Sequence, residues 1–495
     1  MRRRFIHGFA VLILLACDSE SAIREPPSRE ELLNPETCKE CHVNHYNEWA
    51  ASMHAYASKD PVFRAMNKRG QEEAQLGDFC VKCHAPMAVE EQVFTDFGDL
   101  STVPEHLQGV TCYFCHNAVG VGEPHNNANI LLANDTTMRG SFGNPVDPGV
   151  HGVLQAKSPH HDRRKRESAI MCGTCHDIVT PNGTHLERTL AEWKGSLFAN
   201  EDPVQFQSCS DCHMEEEKLR REAAPGFPGV SARVNHSHLF PAVDVSVTPD
   251  TPNQAALRSA IEKCELQSRS ISYLEIVEGA GDRGWFPGEP YAFSVLVETQ
   301  AGHAMPSGAA NDRRLWLEVI AMRDGQEVWS SGRIEDDAPE EGSGANDDDD
   351  QLCMFRARFN KADGQPAHMF WDAVGEPGGK VLPIPKTAMA GSHTERCSYA
   401  IKRPPFEAPD KLKLRLRLRP MGHDVLKDLI DSGHLDPSIL PAMPTFPFYE
   451  VEATFDSSTR RWKVGATKDS DCSEWKCLID ESSPDCRAYR EAQGA

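Results

Sequence analysis

The sequence predicts an α + β protein of more than one domain, with a mostly helical and irregular N-terminal half followed by an all-β, sandwich-like half. Three observations carry that expectation. A Cys-x-x-Cys-His pentapeptide occurs five times, and every copy lies between residues 38 and 213. From residue 271 onward, apolar and polar residues alternate with the period of two that marks strands. Between them, PNQAALRSAIEKC at 252–264 has the spacing of a short amphipathic helix. At 495 residues the chain is also too long for one ordinary domain.

Read in order, the chain opens with Arg2, Arg3 and Arg4 and an apolar run from Phe5 to Ala16. That run is short of the roughly 20 residues a bilayer-spanning helix needs and suits an export signal. It ends in Leu14-Leu15-Ala16-Cys17, which resembles a bacterial lipoprotein box and so implies a lipid anchor at Cys17. Residues 1–17 are thus expected to be a signal peptide, 18–34 a mobile tether, and 35–250 the domain holding the pentapeptides. A bridging helix at 251–264, a β-sandwich-like domain at 265–460 and a cysteine-containing tail at 461–495 follow. Strands are expected at ISYLEIVE (271–278), YAFSVLVET (291–299), RLWLEVIAM (314–322) and KLKLRLRLR (411–419), the last with one buried and one wet face. The acidic run at 335–350 is expected to be disordered, and DRRKRE (162–167) to be a solvated surface, with neutralising of cofactor propionates or docking of an acidic partner as the alternatives. A formal net charge of −22 argues against a nucleic-acid partner.

The seventeen cysteines sort by this pattern. Cys38, Cys41, Cys80, Cys83, Cys112, Cys115, Cys172, Cys175, Cys209 and Cys212 belong to the five pentapeptides, whose histidines are His42, His84, His116, His176 and His213. Two cysteines three apart can each form a thioether to a haem vinyl group, and the histidine that follows reaches the iron. Zinc is the competing reading, but it requires no histidine after each pair, and five pairs do not divide into four-ligand sites. Five covalently attached haem c groups are therefore expected. Cys264, Cys353, Cys397, Cys472, Cys477 and Cys486 remain, enough for up to three disulfides in an oxidising compartment, with connectivity open.

Histidine is in surplus for a second axial ligand. Ten further histidines lie in the haem region: His45, His54, His106, His125, His151, His160, His161, His185, His236 and His238. His45 follows His42 by only three residues and is expected at the surface or on a propionate. His125 in GEPHNN is a candidate ligand, as is one of His160 and His161, assigned here to His161. His303 is a candidate to reach back from the β half, and Met87 and Met214 are the methionine alternatives. One internal echo stands out: NEWAASMH (47–54) and AEWKGSLF (191–198) share Glu-Trp-x-x-Ser, with Trp49 and Trp193 expected to pack on porphyrin.

These motifs occur in an order that resembles the multihaem cytochromes c grouped with the nitrifier tetrahaem cytochrome and hydroxylamine oxidoreductase. The matching stretches are Trp49-x-x-Ser52-x-His54, GVTCYFCH (109–116), SAIMCGTCHDI (168–178), EWKGS (192–196), CSDCHM (209–214), NHSHLF (235–240) and AGHAMPSG (301–308). Ser307 stands where the family usually has Thr. The resemblance implies distal ligation by His54, to a neighbouring haem, and by His238. It also implies a pentahaem electron carrier, mainly bis-histidine, working between a membrane redox partner and a periplasmic or extracellular acceptor. The alternative it leaves open is an oxidoreductase with one open haem acting on nitrite, hydroxylamine or a similar small substrate.

Overall fold

The computed structural model describes residues 26–142, 157–202, 204–215, 219–227, 230–263, 271–278, 289–340, 349–401, 408–465 and 490–491. It is an α + β multidomain chain, a helical N-terminal region followed by a largely β-sheet C-terminal region. Cys17, His151, Cys264, Cys472, Cys477 and Cys486 lie outside the described residues.

The N-terminal region is built from short helices and two small hairpins. The hairpins pair β1 (Ala118–Val121) with β2 (Ile130–Leu132), and β3 (Ile178–Val179) with β4 (His185–Glu187). Helices this short are marginal alone, and side chains secure several of their first turns. Asn34 Oδ1 accepts from Glu36 N, Thr111 Oγ1 from Phe114 N, and Asp211 reaches back to Ser208 in a capping box. The ordered chain begins earlier than expected. Arg29–Leu33 is a helix capped by Ser28 and Glu31, and its Leu32 and Leu33 are buried in a cluster with Tyr113 and Phe114. Two adjacent leucines are too brief a pattern to announce a helix, so the tether reading of 18–34 fails over its last residues.

The helix of the bridge runs Gln254–Lys263. The C-terminal region then forms two antiparallel sheets. The smaller holds β5 (Ile271–Glu278), β6 (Tyr291–Thr299) and β12 (Glu395–Ile401) in the order β12-β6-β5. The larger is centred on β7 (Arg314–Arg323), β13 (Lys411–Arg419) and β14 (Phe446–Asp456). Around these pair β8 (Gln326–Ser331), β9 (Cys353–Asn360), β10 (Pro366–Ala367), β11 (Val374–Lys380) and β15 (Arg461–Val464). Leu412, Leu414, Leu416 and Leu418 of β13 enter one core with Phe293, Val295 and Val297 of β6 and Leu315, Leu317 and Val319 of β7. A disulfide joins Cys353 on β9 to Cys397 on β12, Cα–Cα 5.6 Å, so it staples the two sheets to each other.

The two halves share packing. Ala51, Leu239 and Val245 from the haem-bearing region lie in the same core as the sandwich and the bridging helix. A second shared cluster sets Val62 and Ala65, on the helix Pro61–Ala74, against Val425, Leu426 and Leu429 on the helix His423–Asp431. The boundary read from the change of period is a boundary in sequence pattern, not a gap in the core.

The polar face of β13 departs from expectation. Arg419 is fully buried and paired with Glu340, itself buried, while it donates to the carbonyls of Glu335, Asp336 and Ala338. Arg417 reaches Asp336 (2.7 Å) and the buried Glu318 (3.1 Å). The acidic stretch after β8 thus lies over this face and supplies its counter-charges, so 335–340 is ordered by the arginines that period-two reading assigned to water. Asp349 likewise accepts from Ser331 Oγ (2.9 Å) and Gly332 N (2.6 Å), and 341–348 lie outside the described residues. Removing one partner of a buried pair strands the other charge. Glu340→Ala is therefore expected to cost about 3–5 kcal/mol in denaturant unfolding. Glu327→Ala, at the more exposed Arg333 pair, is expected to cost about 1 kcal/mol or less by the same measurement.

Candidate haem-binding site

Each Cys-x-x-Cys-His unit sits on one turn or the end of a helix, which holds the two sulfurs on one side and delivers the histidine at the turn's end. The helices are Pro35–Lys39, Val81–His84, Cys112–His116, Arg166–Gly173 and Cys209–His213. Four of the five histidines fix Nδ1 on a main-chain carbonyl. His42 uses Ala223 O (2.9 Å), His84 Ala57 O (3.0 Å), His213 Pro241 O (2.9 Å), and His116 uses Arg139 O. His176 is the exception, with Nδ1 3.1 Å from Oε1 of Glu187. An Nδ1–H tied to an acceptor leaves Nε2 as the metal-facing nitrogen and makes the ring a more basic ligand.

Opposing imidazoles come from distant sequence. Two imidazoles on one metal, each with a metal–nitrogen bond of about 2 Å, place their ring centroids roughly 6 Å apart. Ring centroids of His54 and His176 are 6.4 Å apart, those of His116 and His238 6.2 Å, and those of His213 and His303 6.3 Å. His238 and His303 hold their own Nδ1 on the carbonyls of His236 (3.0 Å) and Ala304 (2.8 Å), the same anchoring seen on the attachment side. Burial favours the neutral form, the one that binds metal, in five of these rings, while Glu187 raises His176 to about 9. Burial lowers His54 and His238 to about 3 and His213 to about 4, with neighbouring histidines adding to the effect. The donor sets fit haem: ten cysteines on the right turns, five anchored histidines, and imidazoles set opposite three of them.

The other candidates are placed differently. His161 also lies beside His116, with ring centroids 5.1 Å apart, and its Nε2 is 2.9 Å from the carbonyl of Cys115. His125 sits 2.9 Å from Glu123, with no ring contact to an attachment histidine among the described residues. His45 is no surface residue. The turn that starts at Val43 sets its ring 6.2 Å from His42, and the 235–240 segment brings His238 to 4.7 Å on its other side. His236 rests on Met214 O, His160 is buried near Glu167 O, and His106 is exposed. His185 buries an Nδ1 without a hydrogen-bond partner.

The sulfurs give the proximity of the units. Cys38 lies against Cys112, Cys83 against Cys175, and Cys172 against Cys209. Cys115 lies within electrostatic reach of Cys172 and Cys175. Unit one therefore adjoins three, three approaches four, and four adjoins both two and five.

Several contributors carry no motif. Phe240 packs edge-on against His54 at 4.5 Å, and Phe63 stacks on His84 at 3.8 Å. Among the described residues, no second histidine ring lies against His84. Glu187 announces itself only through its distance in space from His176. Trp49 Nε1 donates to Val110 O and Trp193 Nε1 to Gln207 O, both at 2.8 Å, so each indole straps the backbone two residues ahead of a later attachment unit.

DRRKRE is partly engaged as well. Arg163 pairs with Asp211 at 3.1 Å, and the run borders a cleft of about 560 Å³ lined by Lys157, Arg164, Arg220 and Arg233. No helix among the described residues is long and apolar enough to cross a membrane.

Comparison with known proteins agrees with this geometry. Residues 37–117, which hold the first three units, match the family described as cytochrome c554 and c-prime. The chain is similar in fold to a penta-heme cytochrome c552 from Thermochromatium tepidum, at 19% identity and a TM-score of 0.55, over 86% of this chain and 99% of that one. No curated protein matches it. Repeated attachment units on this fold make the chain a multihaem c-type cytochrome, which implies electron transfer.

Proposed function

We propose that this is an exported pentahaem cytochrome, lipid-anchored at Cys17, that carries electrons between a membrane redox partner and a periplasmic or extracellular acceptor. The observation that supports it best is the set of histidine pairs at 6.2–6.4 Å around anchored attachment histidines. Haem bound there supplies an iron that gains and loses one electron without exchanging ligands. The chain's own residues do the rest. The cysteine pairs fix where each group sits, Nδ1 anchors hold each ring in one orientation, and remote imidazoles close the positions a small molecule would otherwise take. The contacts between units one and three, two and four, and four and five, with the approach of three to four, keep all five within one connected cluster.

The second reading, an oxidoreductase acting on nitrite, hydroxylamine or a similar molecule, draws on His84, whose ring faces Phe63 where each of the other four has a second imidazole at 6.2–6.4 Å. Low-temperature electron paramagnetic resonance of the oxidised protein separates the two. Low-spin signals alone are expected for the carrier. A high-spin signal that shifts on adding nitrite or hydroxylamine would move the assignment to the enzyme. Haem content, measured by pyridine haemochrome, is expected at five per chain. His303→Ala and His54→Ala are each expected to keep that content and to convert about one haem to high spin, since they remove an axial ligand but no thioether.

A further inference from the structure

The echo Glu-Trp-x-x-Ser recurs at Glu48-Trp49 and Glu192-Trp193, and the two copies make the same three contacts. At the end of each motif the serine closes the helix on itself. Ser52 Oγ donates to Trp49 O at 2.7 Å, and Ser196 Oγ donates to Trp193 O at 2.8 Å. Each tryptophan straps the residue two positions before an attachment helix, Val110 before Cys112 and Gln207 before Cys209. Each glutamate accepts a main-chain N–H from the segment bearing the histidine that faces that same unit. His238 N donates to Glu48 Oε2 at 2.8 Å, and His238 faces His116. Ala304 N, next to His303, donates to Glu192 Oε2 at 3.1 Å, joined by Ser307 Oγ at 2.6 Å, and His303 faces His213.

We propose that Glu-Trp-x-x-Ser is a duplicated haem clamp, in which Glu48 and Glu192 are positioning residues for the distal ligands His238 and His303 while the tryptophans position the attachment turns opposite them. One helical turn thus grips both sides of one site. The glutamate and tryptophan are adjacent in sequence, so they leave the helix about 100° apart, which lets one reach the distal segment and the other the attachment strand. A carboxylate withdrawn from water is costly unless its oxygens are satisfied. Glu48 is 3% exposed, and it meets that cost with a main-chain N–H and Arg221 (3.5 Å). Helix capping alone explains the serines but not the glutamates, whose partners lie 190 and 112 residues away.

The clamp rests on the reading of these units as haem sites, and the test separates the two. In the full chain, Glu48→Ala and Glu192→Ala are each expected to keep the parent's haem-to-protein ratio. Each raises the high-spin ferric signal by about one haem per chain, and the double variant by about two. Added imidazole restores the low-spin form, because only the protein's own ligand has moved. Glu48→Gln and Glu192→Gln, whose amide oxygen still accepts an N–H, are expected to resemble the parent. Alanine variants with full haem content and an unchanged low-spin spectrum would overturn the clamp while leaving the haem assignment intact. A parent ratio well below five would overturn the assignment first. If an alanine variant does not accumulate, the aspartate variant at that position withdraws the carboxylate by one methylene. A mixed-spin signal there supports the clamp, and a purely low-spin one refutes it.

Discussion

An iron held between two imidazoles needs its ligands delivered from opposite directions, and one helical turn can supply only one of them. In the ligation proposed above, that requirement organises this chain. The attachment histidine arrives on the same turn as its cysteines, so the opposing ring would come from elsewhere, and the rings that lie opposite are His54 for His176, His238 for His116 and His303 for His213. Each pairing closes a loop of roughly a hundred residues. Loop closure of that size is entropically unfavourable, and with only short helices around the sites, little local structure offsets it. Contacts between remote segments, such as Leu239 in the sandwich core or Ala304 on Glu192, hold the rings in place.

The attachment residues were legible in the sequence because covalent chemistry imposes a fixed spacing. The strands were legible for a similar reason. A buried face repeating every second residue leaves little freedom, and 271–278, 291–299 and 411–419 coincide with observed strands. The opposing ligands were less so. A distal histidine has no spacing to obey, only a position in space, so the residues alone left His125 and His161 as candidates and only the resemblance pointed to His238. Glu187 was invisible because nothing in the ten intervening residues marks a carboxylate as the partner of His176. The tryptophan echo was visible as a repeat, but its indole N–H partners belong to distant backbone.

Charge shows the same division. A net −22 suggests a chain that repels itself, and the acidic run at 335–350 looked like its most soluble part. Instead Glu340 and Asp336 go to the arginines of β13, where alternation gave Arg415, Arg417 and Arg419 a shared face. Pattern identifies which face a residue takes, while what covers that face depends on the path of the connecting chain. The segment after β8 could be read as free only while the arginines beneath it were read as wet.

The contribution of His303 from the far side of the chain bears on how the protein matures. All ten thioether-forming cysteines precede residue 213, whereas His303 and the sandwich that positions it follow. In the ligation proposed above, the fifth unit is complete in sequence 90 residues before the ring that faces it, since His213 precedes His303. Attachment and closure of that site would then depend on different halves of the chain, the first on one helical turn and the second on the folding of the sandwich.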